Sequence, residues 1–248
     1  MSDNGSIVPA QLNPELSAQL RQEVDFFLKW GYLVVEDALT EEEVDSLRGA
    51  FDEMYERHDT EHVHQLLEED DRFALLLDNP PVMERMQAIL GTCVQLHSAT
   101  SRLTQPGEKD QRWHRDGPWP VDPEGTPFGG VPGQINCGYY LDEITMENGP
   151  IVIVPGSHRV LFRPPEGHPT FPDEKFVLAK PGQAVFFSGW LYHRGAANRS
   201  QDRRRVCLMC YQNAWMKSRE PFDGPRVTKM KEDGTPLQKL LLGGVPSW

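Results

Sequence analysis

Trp113-His114-Arg115-Asp116 sets an imidazole and a carboxylate two positions apart. On an extended strand such positions share a face, so both side chains can reach one ion. The pair alone carries little weight, because a chain with 8 histidines and 37 acidic residues in 248 holds about one His-x-acid pair by chance. A third residue changes that. Gly182-Gln183-Ala184-Val185-Phe186-Phe187-Ser188 reads as a turn followed by a strand, and His193 comes just past its end. His114, Asp116 and His193 would then form the two-histidine, one-carboxylate face that holds Fe(II) and leaves coordination positions open. Two open positions suit a bidentate 2-oxo acid and one suits O₂. Arg204 lies eleven residues beyond His193, at the head of the next strand. A guanidinium there can clamp a distal carboxylate through two hydrogen bonds. Arg203 and Arg205 compete for that role, since three successive strand side chains cannot all point inward.

Something must hold these groups in place. Leu16, Leu20, Val24, Phe27 and Leu28 follow helical spacing behind Pro14, with Gly31 placed to stop the helix. Gly31-Tyr32-Leu33-Val34-Val35 reads as a short strand. Thr40 and Glu43 make a capping box that opens a second helix through Val44, Leu47, Phe51 and Met54. Further helices are expected near 61–77 and 81–90, the latter ended by Gly91. After residue 91 the pattern turns to short apolar segments near 93–104, 134–141, 151–154, 184–187 and 205–212, punctuated by Pro and Gly. Many short strands with such turns predict a sandwich or barrel. The expected organisation is one domain over 1–248: a helical layer about 14–90, a β-barrel core about 91–215 and a C-terminal arm 216–248.

Within the core, Gln134, Asn136, Gly138 and Tyr140 alternate with Ile135, Cys137, Tyr139 and Leu141. The more polar face is expected to line the interior beside the metal, with Gln134, Asn136 and Tyr140 joining Arg204 in binding the cosubstrate. Gly117–Gly133 holds five prolines and five glycines in 17 residues and is expected to act as a lid and substrate selector. Trp119 and Phe128 on it, with Gly138, Trp190 and Trp215, are candidates for the substrate side. His158 reads as a turn residue, His62 and His64 as part of a solvated helix face, and Cys207 and Cys210 as buried strand residues.

The bulk numbers narrow the partners. Net charge is −12, from 25 Lys+Arg against 37 Asp+Glu, and such a surface repels nucleic-acid phosphates and anionic membranes. No apolar run approaches the roughly 20 residues that span a bilayer. The N-terminus lacks the basic-then-apolar order of a signal peptide, and four cysteines are too few for a disulfide scaffold. A cytoplasmic chain acting on a small molecule is the expectation.

Trp113-His114-Arg115-Asp116, Glu147-Asn148-Gly149-Pro150, Pro155-Gly156-Ser157-His158 and His193 followed by Arg204 occur in an order and spacing that resemble the phytanoyl-CoA dioxygenase family. The resemblance runs from about residue 90 to 212 and is compatible with the N-terminal helices. It implies a mainly β fold with a helical layer, a double-stranded β-helix (jelly-roll, cupin-like) barrel. It also implies Fe(II), with 2-oxoglutarate and O₂ as cosubstrates. It maps the iron ligands onto His114, Asp116 and His193, and the anchor of the C5-carboxylate onto Arg204. Hydroxylation is implied over halogenation, since related halogenases put a small residue where Asp116 stands. The chain departs from the family pattern at Gly195, often a serine, at Gly182-Gln183, often Gly-Asp, and at Gly138, often an aromatic whose loss is expected to enlarge the pocket. A cupin-like metalloenzyme that does not use 2-oxoglutarate, and a non-catalytic 2-oxoglutarate binder, remain alternatives.

Overall fold

The three longer helices of the N-terminal layer are each fixed by a side-chain cap and by one apolar stripe. The computed structural model describes residues 16–116, 133–160 and 170–244. Helix α1 (Ala18–Trp30) is capped by the Ser17 hydroxyl, which accepts from Leu20 N, and it buries Leu20, Val24 and Phe27. Pro14 lies outside the described residues. Helix α2 (Glu41–Tyr55) carries the expected capping box between Thr40 and Glu43. A short α3 (Leu66–Glu69) and a 3₁₀ turn (Asp71–Leu76) follow, and α4 (Pro80–Leu90) starts on the Asn79 cap and ends at Gly91.

Nine strands form two sheets among the described residues. The larger has the order β1 (Tyr32–Val35), β7 (Ala184–Ser188), β4 (Gln134–Tyr140), β9 (Arg204–Asn213), β3 (Val94–Thr104), β2 (His62–His64). The smaller has the order β6 (Lys175–Val177), β5 (Ile151–Ile153), β8 (His193–Gly195). All named pairings are antiparallel, and no described pairing closes the two sheets into one barrel. The expected mainly β fold with a helical layer is present, its strands forming a six-stranded and a three-stranded sheet rather than one closed barrel among the described residues.

One expected helix is also corrected. Residues 62–64 are a strand, His62 pairing with Arg102 and His64 with Thr100. The acidic run after them looked helical throughout, but only Leu66–Glu69 is α-helical, because residues 62–64 gain their backbone partners from the edge of β3. Strands β6 and β8, three residues each, went unpredicted.

Alternation along the large sheet sorts its side chains into two apolar layers. Ile135, Cys137, Tyr139, Phe186, Cys207, Met209 and Tyr211 face the helices, where Phe27, Leu47, Phe51 and Leu76 complete a large core. Tyr140, Val185, Phe187 and Val206 face the small sheet and meet Ile151, Ile153 and Val177. Both faces of β4 are covered, and all seven of its residues are buried. The buried hydroxyls of Tyr139 and Tyr211 donate to the carbonyl of Leu76, a group left open at the end of the 3₁₀ turn. Strand β3 keeps its apolar face only through a bulge. Val94 and Leu96 point to the helices before it, Ala99 and Leu103 after it, and the register against β9 shifts between Leu96 and Ser98. That one-residue phase change turns Ser98, Thr100 and Arg102 toward the other sheet. The C-terminal arm contributes α5 (Pro225–Asp233) and α6 (Pro236–Leu241), whose Val227 and Leu241 enter the large core.

Gly31 ties α1 to the sheets. Its φ is +80°, and a Cβ there would sit 2.5 Å from His158 Nδ1. Its carbonyl accepts from Ser188 N at 2.8 Å, while the Trp30 carbonyl accepts from Gly156 N. His158, the expected turn residue, lies in the 3₁₀ turn Ser157–Arg159 and hydrogen-bonds the Leu28 carbonyl. Gly31→Ala should cost at least about 1–2 kcal/mol from the left-handed backbone alone. A fall in the urea midpoint with an unchanged slope would register that cost.

Candidate metal centre and cosubstrate cavity

Residues 111–116 run antiparallel to 189–195. His114 N donates to the His193 carbonyl at 3.0 Å and His193 N to the His114 carbonyl at 3.1 Å, while Asp116 N donates to Gly189 O and Gln111 N to Gly195 O. Directly paired residues project to one side, so the two imidazoles meet with ring centroids 4.3 Å apart. Asp116, two positions on from His114, joins them. Arg115 turns the other way, donates to the carbonyls of Ser157 and Val160, and stacks on Tyr192. Tyr192 N is in turn held by the Ser157 hydroxyl, so the turn locked by Gly31 also steadies the entry to His193.

One donor atom from each of His114, Asp116 and His193 lies within 4.8 Å of the other two. The Asp116 carboxylate oxygens stand 3.6 Å from His114 Nε2 and 3.4 Å from His193 Nε2. Bonds of about 2.1 Å place donors at right angles about 3 Å apart, so the spacing accommodates one ion with small adjustments. The tautomers agree. Nδ1 of His114 faces the Arg112 carbonyl at 2.8 Å and Nδ1 of His193 faces the Leu191 carbonyl at 2.9 Å. Donation from both Nδ1 atoms leaves both Nε2 lone pairs directed at the site. Asn136 Nδ2 donates to Asp116 Oδ2 at 2.9 Å.

The electrostatics suit a cation. Burial opposes ionisation of Asp116, but His193, His114 and the Asn136 amide outweigh it and hold the carboxyl at about 2. Burial and the neighbouring His193 push the His114 imidazole down. Burial pushes His193 down as well, yet the Asp116 charge more than offsets this and the net direction is up.

A cavity of about 230 Å³ opens beside this triad. Gln134, Asn136 and Tyr140 line it, as the alternation of β4 led one to expect. Gln134 is occupied otherwise than expected, its amide donating to Cys210 Sγ. Arg204 lines the cavity at only 7% exposure. Its guanidinium donates to Thr104 Oγ1, its Nε has no partner, and no carboxylate among the described residues pairs with it. Burial pushes its pKa down from the ordinary value. Both rivals point away: Arg203 pairs with Asp52, and Arg205 with Asp52 and Asp142.

The substrate-side candidates fare unevenly. Trp119 and Phe128 lie outside the described residues, as does Gly117–Gly133 apart from Gly133 itself. Trp215 is 79% exposed, and neither it nor Trp190 lines the cavity. Gly138 faces the cavity side but opens no extra room, because a Cβ there would meet Val206, Leu208 and Tyr140 at 3.3–3.4 Å. Gln111 occupies the space a serine at 195 would use, its Oε1 accepting from Gly195 N at 2.9 Å. Cys207 and Cys210 are buried strand residues facing opposite layers, as expected, with Cys210 on the cavity.

Among the polar lining residues that escaped the sequence reading are His62, Ser98, Thr100, Arg102, Gln111 and Arg219. Reading 62–64 as a strand would have exposed His62, since its alternation His-Val-His is visible; nothing in the sequence marks the bulge that aims Ser98.

The family model for phytanoyl-CoA dioxygenase matches residues 27–206, a span that includes the triad and Arg204. The chain belongs to the phytanoyl-CoA dioxygenase family. Curated relatives include the dioxygenase andF of Emericella variicolor, 31% identical over 151 residues, covering 60% of this chain and 49% of the relative. Another is the L-proline trans-4-hydroxylase of Streptomyces griseoviridis, 24% identical over 198 residues and covering 68% and 72%. The chain spans half or less of three fungal dioxygenase relatives, at 49%, 33% and 45% of their lengths. Among solved structures, HygX from Streptomyces hygroscopicus, with nickel and 2-oxoglutarate bound, superposes with a TM-score of 0.70 at 16% identity, covering 80% of this chain and 88% of HygX. SnoK, a non-haem α-ketoglutarate-dependent carbocyclase from nogalamycin biosynthesis, gives 0.62 at 21% identity, covering 81% and 85%. The family chain therefore shares the fold of these enzymes. Among its described residues no helix is long and apolar enough to cross a membrane.

Proposed function

We propose that this family member is an Fe(II)- and 2-oxoglutarate-dependent dioxygenase that hydroxylates a small molecule, built as one domain on a jelly-roll frame. His114, Asp116 and His193 would hold the iron, and Arg204 the distal carboxylate of 2-oxoglutarate. The observation that carries this reading is the pairing of a metal-competent triad with a buried arginine in one cavity. A buried cation without a counter-ion is costly, and a dianionic cosubstrate supplies the missing charge. Arg204 is also what favours this reading over a metalloenzyme that does not use 2-oxoglutarate.

When bound, iron with 2-oxoglutarate and O₂ supplies the oxidation, with succinate and CO₂ released. The chain's own residues do the rest. The backbone carbonyls of Arg112 and Leu191 fix the imidazole tautomers, and Asn136 orients Asp116. Tyr140, Ile151, Phe187 and Val206 wall the cavity with apolar surface that excludes water.

The deciding experiment is aerobic incubation with Fe(II) and 2-oxoglutarate, following succinate. Slow succinate formation that needs both additions is expected, and its absence in a protein that binds both would favour the non-catalytic alternative. A milder change probes the carboxylate's support. Asn136→Ala removes the amide donor to Asp116 and should lower Fe(II) affinity by about 10- to 100-fold. Calorimetric titration under anaerobic conditions reads that loss directly.

A further inference from the structure

The β3 bulge turns Ser98 onto the cavity, opposite Cys210 of β9. Ser98 is 5% exposed, and its hydroxyl has no hydrogen-bond partner among the described residues. Gln134, on β4, approaches Cys210 from the other flank. Its amide Nε2 donates to Cys210 Sγ at 2.9 Å, which turns Oε1 away from the thiol. Gln134 is 6% exposed, and that Oε1 accepts from no donor among the described residues. Neither oxygen is sealed inside protein, and both side chains line the cavity.

Buried polar groups are almost always hydrogen-bonded, because an unpaired one forfeits the bonds it made to water. Here two of them, each more than nine-tenths buried, flank one thiol in a wall that is apolar at Ile151, Val206 and Leu208. Water satisfies such groups only until a ligand displaces it. The ligand must then reproduce the water's hydrogen bonds or lose affinity.

Order along β4 separates this polar spot from the cosubstrate anchor. Its cavity-lining residues succeed one another as Tyr140, Asn136 and Gln134. The Tyr140 ring lies 5.9 Å from the Arg204 guanidinium, and Asn136 donates to Asp116. Gln134 is the next inward position, so a cosubstrate held between Arg204 and the metal leaves it free. Ser98 shares the row of Asn136 and Cys210, whereas Arg204 stands opposite Thr104. The Thr100 hydroxyl is also unpartnered, but it lies nearer the Arg204 end of β3 and is left out of the spot.

We propose that Ser98 and Gln134 receive a hydroxyl group of the primary substrate, which makes that substrate an uncharged alcohol. The assignment rests on the cosubstrate reading given above. An amide oxygen only accepts, whereas a serine hydroxyl also donates. A substrate hydroxyl can accept from Ser98 and donate to Gln134 at once. A carboxylate has no proton to give and would set its charge against Oε1. An ammonium group could donate to both oxygens, but it would shed its hydration with no carboxylate to receive it. Asp116 is the only acid among the residues lining the cavity, and it faces the metal site.

The test uses the full chain loaded with Ni(II) and 2-oxoglutarate, so that no turnover intervenes. Two matched sets are titrated calorimetrically: benzyl alcohol, benzoate and benzylamine, then cyclohexanemethanol, cyclohexanecarboxylate and cyclohexanemethylamine. At least one alcohol should bind wild type about 10-fold or more tighter than the acid and the amine of its set. Ser98→Ala and Gln134→Leu should each weaken that alcohol by about 10-fold or more, since each leaves one hydrogen bond of a buried hydroxyl unmade. Ser98→Thr keeps the hydroxyl and should lose less than Ser98→Ala. Uptake of 2-oxoglutarate by each variant certifies its fold, and if Gln134→Leu does not fold, Ser98→Ala decides. Alcohol affinity retained within about twofold in Ser98→Ala overturns the assignment. So does a wild type that takes up 2-oxoglutarate yet prefers no alcohol, and an acid or amine that binds tighter than its alcohol overturns the uncharged class. A wild type that fails to take up 2-oxoglutarate is a separate result, and it counts against the cosubstrate reading instead.

Discussion

Asp116→Ala should leave a folded chain that no longer loads iron and forms no measurable succinate. Asp116 contributes the only charge in the triad, and each imidazole Nε2 faces one of its oxygens. Without it two neutral donors remain, and a divalent ion loses both a bond and half of its charge compensation. Changes to residues that merely orient a ligand lower metal affinity by about 10- to 100-fold, so losing the ligand itself should exceed the top of that range. The fold should barely notice. In the metal-free chain Asp116 gives up a hydrogen bond from Asn136, a net contribution of about 0.5–1.5 kcal/mol. His193→Ala should abolish turnover equally, but at a larger cost to stability, since His193 is buried against Phe187. Thermal unfolding of the metal-free variants separates the two effects. Succinate formation above a tenth of the wild-type rate in either variant, or iron binding that survives loss of both His114 and His193, would sink the metal assignment.

Why the triad was legible in the sequence and the rest of the cavity was not comes down to the range of the interactions involved. His114 and Asp116 share a face because alternation along a strand is a local rule, and His193 was reachable because a turn and an apolar strand precede it. The capping box at Thr40 and the stop at Gly31 were equally local. Arg204 was separable from Arg203 and Arg205 by the same alternation, although which of the three turns inward depends on where Asp52 and Asp142 stand to receive the other two. Three features depend on distant chain and were missed or misread. Residues 62–64 are a strand only because β3 offers an edge, and propensity in that acidic stretch favours a helix. Gly138 suggested empty space, yet Val206 and Leu208 from β9 fill it. Arg219 reaches the cavity mouth with its backbone N bonded to the carbonyl of His97 at the β3 bulge, some 120 positions earlier in the chain, and no local pattern around Arg219 announces it. The barrel was expected from strand count and turns, which do not specify whether two sheets close on each other.

Arg204→Ala should weaken 2-oxoglutarate binding by about 10- to 150-fold while leaving Fe(II) affinity within twofold of wild type. The range follows from about 1.5–3 kcal/mol for a charge-assisted hydrogen bond. The site argues for the upper part of it: Arg204 is buried, so its interaction with a carboxylate is poorly screened by solvent, and Thr104 and the Tyr140 ring hold the guanidinium in place before any ligand arrives. Metal affinity should be spared, because the Arg204 guanidinium bonds Thr104 and makes no hydrogen bond or ion pair with His114, Asp116 or His193. The variant should remain folded, since removing Arg204 also removes a buried charge that has no counter-ion among the described residues. Arg204→Lys keeps the charge but loses the planar fork, and should fall between wild type and alanine. Calorimetric titration of 2-oxoglutarate into the Ni(II)-loaded variants gives all three affinities on one scale. Arg203→Ala and Arg205→Ala serve as controls, because both guanidiniums are taken up by Asp52 outside the cavity. If either control loses 2-oxoglutarate affinity while Arg204→Ala keeps it, the anchor moves to that neighbour. If none of the three matters, 2-oxoglutarate is not held from this strand, and a metalloenzyme of another class becomes the better account of the triad.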